Sequence, residues 1–422
     1  MAPDQQASHM PQRTLFARDP VAFVSAACVC AAAFAPAPIA KAQEAPPPPA
    51  SSPPMTPAPA ATPTAAAMSM PAMSVTLSAN PAPYAFDAGP IGKIYVTGAL
   101  TGLALTQNHA DPGDHQSWGD ISNAQVFVQK TDGQLQFFLQ VGAYALPSVG
   151  TPYVKAISLT QDTYGVVPQA YVKFAPSSSF NIIIGKLPTL LGAETTFTFE
   201  NTDIERGLLW NQENVVNRGV QANYNKGPIS VSVSLNDGYY SNRYNWVSGL
   251  ITYTLNPRDS VTVAAGGDFD RSTVSTFATP FYQNNGQVYD LILTHTQGAF
   301  SLTPYVQYTY IPAAPQIGIP NSASTVGGAL LAKYNLTPAF SLAARGEYIS
   351  SRSGAGQINL LYGPDSDAWS LTVTPTYQFK VLFLRAELSY TRATSFTPGF
   401  GFGPTFADRS QVRGLIETGA LF

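Results

Sequence analysis

The residues best suited to chemistry gather in one excursion, 187–215, which carries Glu194, Glu200, Asn201, Asp203, Glu205 and Arg206. Glu194, Glu200, Asp203 and Glu205 face one nearby cation, Arg206, and carboxylates gathered around a passage favour cations. A second group is His109, Asp111, Asp114 and His115. Imidazole and carboxylate donors so close together suit a divalent cation. Pro112-Gly113 marks the stretch first as a turn, and no zinc or calcium-loop spacing accompanies it, so these four are a weak candidate and no metal or cofactor is expected. His295 would need a serine within hydrogen-bond reach and a third, orienting group to hydrolyse lipid. No hydrolase motif surrounds it, so no catalytic residue is assigned and no enzyme is expected.

The acidic excursion has clear brackets. Phe180, Ile182 and Ile184 alternate before Gly185, and two alternating runs, 217–224 and 229–235, follow, joined by Asn225-Lys226-Gly227-Pro228. A polar loop of this length between short strands is usually functional. From Ile91 onward the period is two. Trp369, Leu371, Val373 and Tyr377 oppose Ser370, Thr372, Thr374, Thr376 and Gln378; Ile229, Val231, Val233 and Leu235 oppose Ser230, Ser232, Ser234 and Asn236. One apolar and one polar face per strand follows. The polar face carries sparse ions: Lys173, Asp268, Arg345, Glu347, Arg385, Glu387 and Glu417. Arg345-Gly346-Glu347 and Arg385-Ala386-Glu387 set opposite charges two apart on one face, within pairing reach.

A soluble sandwich shows the same alternation, so the connections decide. Short turns at 130–133, 176–179, 225–228, 256–259, 296–299, 335–339 and 379–380 alternate with long segments near 107–120, 145–165, 187–215, 236–245, 269–287, 311–323, 351–366 and 393–410. Strict short-long alternation predicts an all-β, up-and-down antiparallel transmembrane β-barrel of about 16 strands, within a range of about 12–18, with both termini at one end. Tyr95, Tyr224, Tyr253, Tyr334, Tyr348, Tyr377 and Tyr390 fall on the apolar face, several near strand ends, as interfacial girdles require. A barrel this wide is not filled by its own side chains, so its polar face is expected to surround water.

Composition agrees. Charged residues are only 11% of the chain and aromatics another 11%, which fits strands exposing one face to lipid better than a soluble surface. A net charge of −3 excludes nucleic acid as a partner, for want of a basic patch. Arg13 and Arg18, an apolar run from Val21 to Phe34 and Ala40-Lys41-Ala42 predict a signal peptide over 1–42. It contains Cys28 and Cys30, so the mature chain lacks cysteine. Residues 43–83, rich in Pro, Ala, Ser and Thr, predict a disordered linker ahead of a barrel over 84–422. The last strand, Gly414, Ile416, Thr418, Ala420 and Phe422, ends in an aromatic residue and resembles the signal read by the barrel-assembly machinery.

Gly185-Lys186-Leu187-Pro188-Thr189, Gly192-Ala193-Glu194, Asn201, Arg206 and Asn217-Arg218-Gly219-Val220 together resemble the OmpL-like group of outer-membrane β-barrel porins. Asn236-Asp237-Gly238-Tyr239 and Phe383-Leu384-Arg385-Ala386-Glu387 extend the likeness, which spans about residues 90–422. The resemblance implies a passive pore. The expectation is diffusion of small hydrophilic solutes or ions across a Gram-negative outer membrane, with weak cation preference from the acidic loop. Outer-membrane lipid surrounds such a barrel, and its linker and C-terminus lie in the periplasm. Two alternatives stand beside it: a non-conducting adhesin or scaffold barrel, and an outer-membrane lipid hydrolase. A homo-oligomer is compatible with all of these.

Overall fold

The computed structural model describes residues 77–353, 362–397 and 399–422. The expected signal peptide, both cysteines and the linker as far as residue 76 lie outside the described residues. The described chain runs β1 (Tyr84–Asp87), β2 (Lys93–Gln107), β3 (Ser117–Lys130), β4 (Leu135–Tyr144), β5 (Gln169–Phe174) and β6 (Phe180–Pro188). Next come β7 (Val216–Lys226), β8 (Ile229–Asn236), β9 (Trp246–Asn256), β10 (Asp259–Asp268), β11 (Gln287–Gln297) and β12 (Phe300–Ile311). The last five are β13 (Ala323–Asn335), β14 (Phe340–Ser353), β15 (Asp367–Phe379), β16 (Leu382–Ser395) and β17 (Ser410–Leu421).

From β2 onward every strand pairs antiparallel with its sequence neighbours, and β17 returns to β2 from Arg413↔Gln107 to Leu421↔Ala99. These 16 strands close a barrel. β1 is an addition: it pairs with Lys93–Val96 of β2, beyond the point where β17 stops. All seven expected short turns join hairpins, and the strand ends that the eight long segments connect lie at the opposite end.

Closure explains the alternation. In hydrocarbon each backbone N–H and C=O needs a partner within the sheet, and a closed ladder supplies one for every strand. Each strand then shows one face outward. Leu371 and Val373 are outward and exposed, while Ser370, Thr372, Thr374 and Thr376 face inward and are buried. Outward Tyr224, Tyr253, Tyr334 and Tyr377 lie towards the short-turn end; Tyr289, Tyr308 and Tyr348 lie towards the long-loop end. Rings at both levels suit the two interfaces of a bilayer.

The chain is already held at Leu77, which is buried beside Ala99, Phe383 and Leu421. Ser78 and Gln378 exchange two hydrogen bonds of 2.8 Å, so the chain is tied to the barrel at residues 77 and 78. One short helix, α1 (Ala156–Asp162), occupies the 145–165 segment, which the strand pattern reads only as a loop.

Phe422 closes the seam. Its N–H donates to the Gly98 carbonyl at 3.0 Å, and the Gly98 N–H donates to the Phe422 carbonyl at 2.8 Å. The Phe422 ring covers Gly98 so closely that a Cβ there would sit 2.3 Å from it. At Gly102, two repeats of the pleat further on, a Cβ would meet nothing nearer than 3.7 Å. Gly98→Leu is therefore expected to lower the yield of assembled barrel, while Gly102→Ala leaves it unchanged. Heat-modifiable mobility in outer-membrane fractions measures both, and equal folded yields would refute the role given to Gly98.

Candidate functional site

β6 ends at Pro188, which has no N–H to continue a ladder, and the chain leaves the wall until Val216. The intervening loop folds into the bore. Every residue from 189 to 210 is buried. Apart from two single 3₁₀ turns, Thr198–Glu200 and Trp210–Gln212, it has no regular structure. Its burial rests on Leu190, Leu191, Phe197, Phe199, Ile204, Leu208, Leu209 and Trp210, which the reading of a polar excursion passes over. Phe199 packs on Phe127 at 5.7 Å, and Phe127 on Phe138 at 6.1 Å, both on the inward face of the wall. The bore at this height thus holds the loop, and not water alone as the width of the barrel suggests.

Three arginines fasten the loop from neighbouring strands. Arg345 on β14 binds Glu194 at 2.6 Å, the Glu205 carbonyl at 2.8 Å and Asp203 at 3.5 Å. Arg385 on β16 donates to the carbonyls of Thr198 at 2.7 Å and Asn201 at 3.0 Å, and pairs with Glu417. Arg413 on β17 binds Glu205 and the Ser148 carbonyl, each at 2.8 Å. Arg345 also pairs with Glu347 at 3.2 Å, as their spacing suggests. Arg385 does not pair with Glu387. Glu417 stands opposite it in register and takes that place. Arg413 was missed, although it shares the inward parity of Glu417.

The wall carboxylates serve the loop backbone. Glu347 accepts from the N–H groups of Leu208 at 3.0 Å and Leu209 at 3.4 Å. Glu387 accepts from Glu205 N–H at 2.9 Å and from Ile204 N–H. Within the loop, Glu194 accepts from Gly207 N–H at 2.8 Å, and Asn201 donates to the Asp203 carbonyl at 3.1 Å. A buried backbone without a ladder must find such partners. Arg206 is fully buried, bonds the Ile204 carbonyl at 3.3 Å and lies 5.3 Å from the Trp210 ring centre. Neither oxygen of Glu200 has a hydrogen-bond partner among the described residues.

At its far end the loop meets β11 and β12. Glu213 accepts from Tyr305 and, at 2.9 Å, from Gln307, while Asp290 accepts from Gly192 N–H at 2.9 Å and lies 3.3 Å from the Tyr305 hydroxyl. Among the described residues neither carboxylate has an ion-pair partner. Lys173 is half-buried on the inward face of β5. Asp268 is drawn to Arg271 at 2.6 Å in the adjoining loop, so it does not act as a bore-lining charge.

The histidine stretch does not converge on an ion. Asp114 is taken up by Gln107, Trp118 and the Tyr153 N–H, at 2.6–3.0 Å. His109 bonds the Ser410 carbonyl at 2.7 Å, while His115 stacks edgewise on Trp118 at 4.5 Å. Asp111 supplies a carbonyl to Asp114 N–H at 3.0 Å, closing the turn. Among the described residues no three His, Cys, Asp or Glu groups are placed to share a metal. His295 pairs with Asp259 at 2.6 Å, and no serine hydroxyl is hydrogen-bonded to it among the described residues.

A closed antiparallel barrel with outward apolar faces and an inward-folded loop defines the class of outer-membrane porins, transport channels of the Gram-negative outer membrane. Residues 93–422 match the family described as "Putative beta-barrel porin-2, OmpL-like", and the chain belongs to that family. Curated protein sequences yield no significant match. Solved structures similar in fold include OmpT, an outer membrane protein of Vibrio cholerae, at 12% identity and TM-score 0.54, covering 79% of this chain and 98% of that one. An anion-selective porin from Comamonas acidovorans aligns at 12% identity and TM-score 0.53, over 78% and 99% of the two chains. The outer membrane channel DcaP of Acinetobacter baumannii gives 12% and 0.53, over 78% and 97%.

Arg345 is the centre of the fastening. Arg345→Met strands Glu194, Asp203 and Glu347 without their cation, and breaking one side of a buried ion pair costs about 3–5 kcal/mol. The loop is expected to detach in this variant while the wall stays closed. Limited proteolysis within 189–215, compared with heat-modifiable mobility, measures the two separately; an uncut loop would count against the fastening.

Proposed function

We propose that this chain is a passive diffusion channel for small hydrophilic solutes and ions, with the loop 189–215 setting the size limit. The observation that carries this reading is the loop itself, drawn across the bore and tied to inward charges on β14, β16 and β17. An open barrel of 16 strands passes solutes freely, and a loop fixed in its lumen narrows the passage. Tying the loop by side chains instead of covalent bonds leaves the barrel wall independent of the constriction.

The cation preference expected from the acidic loop moves to other residues. Glu194, Asp203 and Glu205 are matched by Arg345 and Arg413, so little of their charge is left for a passing ion. Glu213 and Asp290 face no such cation; burial pushes the Glu200 carboxyl up to about 8, and burial together with the Asp290 charge raises that of Glu213, so the excess negative charge of the constriction is about one carboxylate of the Glu213–Asp290 pair. We place the long loops outside the cell and both the linker and the C-terminus in the periplasm, where the assembly machinery reads the strand ending in Phe422. A trimer form of OmpT from Vibrio cholerae, similar to this chain in fold alone, encourages the reading of a homo-oligomer. A second reading, a non-conducting surface barrel, draws support from the complete burial of residues 189–210.

Planar-bilayer recording separates these readings. The purified protein is expected to conduct, with a reversal potential in a salt gradient that favours cations weakly. Glu194→Gln with Asp203→Asn should raise conductance by loosening the loop. Glu213→Gln with Asp290→Asn should shift the reversal potential towards anions more than that first pair does. Anion preference in the unaltered protein would overturn the assignment of charge, and absence of conductance in both it and the loosened variant would favour the non-conducting barrel.

A further inference from the structure

The outward wall carries a groove of about 490 Å³ across β12–β15. Its floor is Gly328 and Gly346; Val306, Leu330, Tyr348 and Leu371 rise around them. Nothing in the backbone asks for glycine at either position. Neither has a positive φ, and a Cβ would meet only the Tyr305 carbonyl at 3.7 Å from Gly328 and Leu371 at 3.4 Å from Gly346. Glycine weakens a strand unless something approaches closely. These two glycines therefore keep an outward space open.

The register leads from that space to a cation. Val306, Gly328, Tyr348, Trp369 and Arg392 stand opposite one another in successive pairs across β12 to β16. Val306 is midway along its strand, whereas Arg392 lies near the long-loop end of β16. The row thus climbs from the apolar middle of the wall towards the interface. Arg392 alternates with outward, exposed Leu384 and Leu388, so it shares the lipid-facing side. Among the described residues its side chain has no hydrogen bond or ion pair. A charge on that side is destabilising unless it reaches the interface and a partner there. Arg352 and Arg409 stand nearby at the strand mouths; Arg352 is paired with Asp367 at 3.2 Å, and Arg409 donates to the Thr394 carbonyl at 3.2 Å. Trp369 packs against Tyr390 at 5.2 Å beside Arg392, at the level where aromatic rings meet headgroups.

We propose that the groove and Arg392 seat one anionic lipid, its acyl chain over Gly328 and Gly346 and its phosphomonoester on the Arg392 guanidinium; a phosphodiester already neutralised by its own ammonium, as in phosphatidylcholine, is not held. A planar guanidinium with open donors suits a phosphate, and the apolar groove below it suits a hydrocarbon chain. Assigning this lipid to the outer leaflet rests on the outward placement of the long loops proposed above.

Native mass spectrometry of the whole barrel, released from mild detergent after incubation with bisphosphorylated lipid A, tests the seat. The unaltered protein is expected to retain one lipid, and to retain none from phosphatidylcholine. Arg392→Gln should lower retention roughly fivefold, the weight of one basic residue at a membrane surface. Gly328→Leu with Gly346→Leu should abolish it, and heat-modifiable mobility reports whether that pair folds. Retention equal to the unaltered protein in Arg392→Gln would overturn the proposal even if the glycine pair fails to assemble. A change of oligomer in the glycine pair with lipid retained would assign the groove to a second copy and overturn it as well. Whole-cell labelling of Tyr244→Cys with an impermeant maleimide checks the leaflet separately: no labelling with lipid still retained would overturn the outer leaflet and leave the seat in place.

Discussion

The ladder between β17 and β2 is the constraint from which the rest follows. A sheet in hydrocarbon cannot keep an open edge, because each unpaired N–H or C=O costs several kcal/mol there. Once β17 pairs with β2, sixteen strands have no edge left, and each is forced to send alternate side chains to lipid and to the lumen. The seam ends where the C-terminal carbonyl and N–H of Phe422 meet Gly98, and β1 takes up the exposed stretch of β2 beyond it. The same strand is therefore covered along its length by two different segments, one from each terminus of the described chain.

Closure settles the wall and leaves the lumen to be satisfied by other means. The loop between β6 and β7 brings buried backbone into the bore with no ladder of its own. Wall carboxylates stand in for that ladder: Glu347 and Glu387 each accept from two consecutive loop N–H groups. Wall arginines do the same for loop carbonyls at Thr198, Asn201 and Glu205. This explains why arginine and glutamate recur two apart on β14 and β16. The arginine takes loop acceptors and the glutamate takes loop donors; Arg345 and Arg385 are paired with Glu347 and Glu417, while Glu387 is satisfied by two loop N–H groups and the Thr374 hydroxyl. Networks of this kind hold one geometry well, since losing any member leaves several others unsatisfied.

Local chemistry made the wall legible in the sequence. Asn225-Lys226-Gly227-Pro228 and its counterparts announce turns through glycine and asparagine, and a period of two runs between them, interrupted by register shifts such as the one at Thr101/Gly102. Because all the short turns could be located, the strand count followed. What could not be read was where the long loop goes. Arg345 lies 151 residues from Glu194, and Arg413 lies 208 from Glu205, so nothing local links them. Two residues apart on one face, Arg385 and Glu387 are within reach of a pair, and the sequence leaves open whether they make one. The strand alongside offers Glu417 directly opposite, and a cross-strand pair is closer than an i, i+2 pair. Leu190, Leu191, Leu208 and Leu209 went unnoticed for a related reason. They follow no period, since a loop packed against several strands has no single face.

The ionic fastening is also one-sided. Arginines on β14, β16 and β17 and carboxylates on β14, β16 and β11 take up the loop, but among the described residues β6, β7 and β8 offer it neither; Arg218 on β7 is spent on Asp237 at 2.7 Å. Their inward groups satisfy one another: Gln221 donates to Asn223 at 2.7 Å, Asn223 to Asn181 at 2.8 Å, and Ser232 to Asn223 at 2.7 Å. Amides and hydroxyls bonded in this way carry no net charge to attract the loop, and they exchange readily with water. Asn181 and Asn223 are only half-buried, in contrast to the fully buried Arg345 and Arg385. The ion pairs that hold the loop thus come from one stretch of wall, while elsewhere the wall meets it through rings and single hydrogen bonds: Phe197 lies 5.5 Å from Tyr144 on β4, Phe199 lies 5.7 Å from Phe127 on β3, and Gly192 N–H donates to Asp290 on β11.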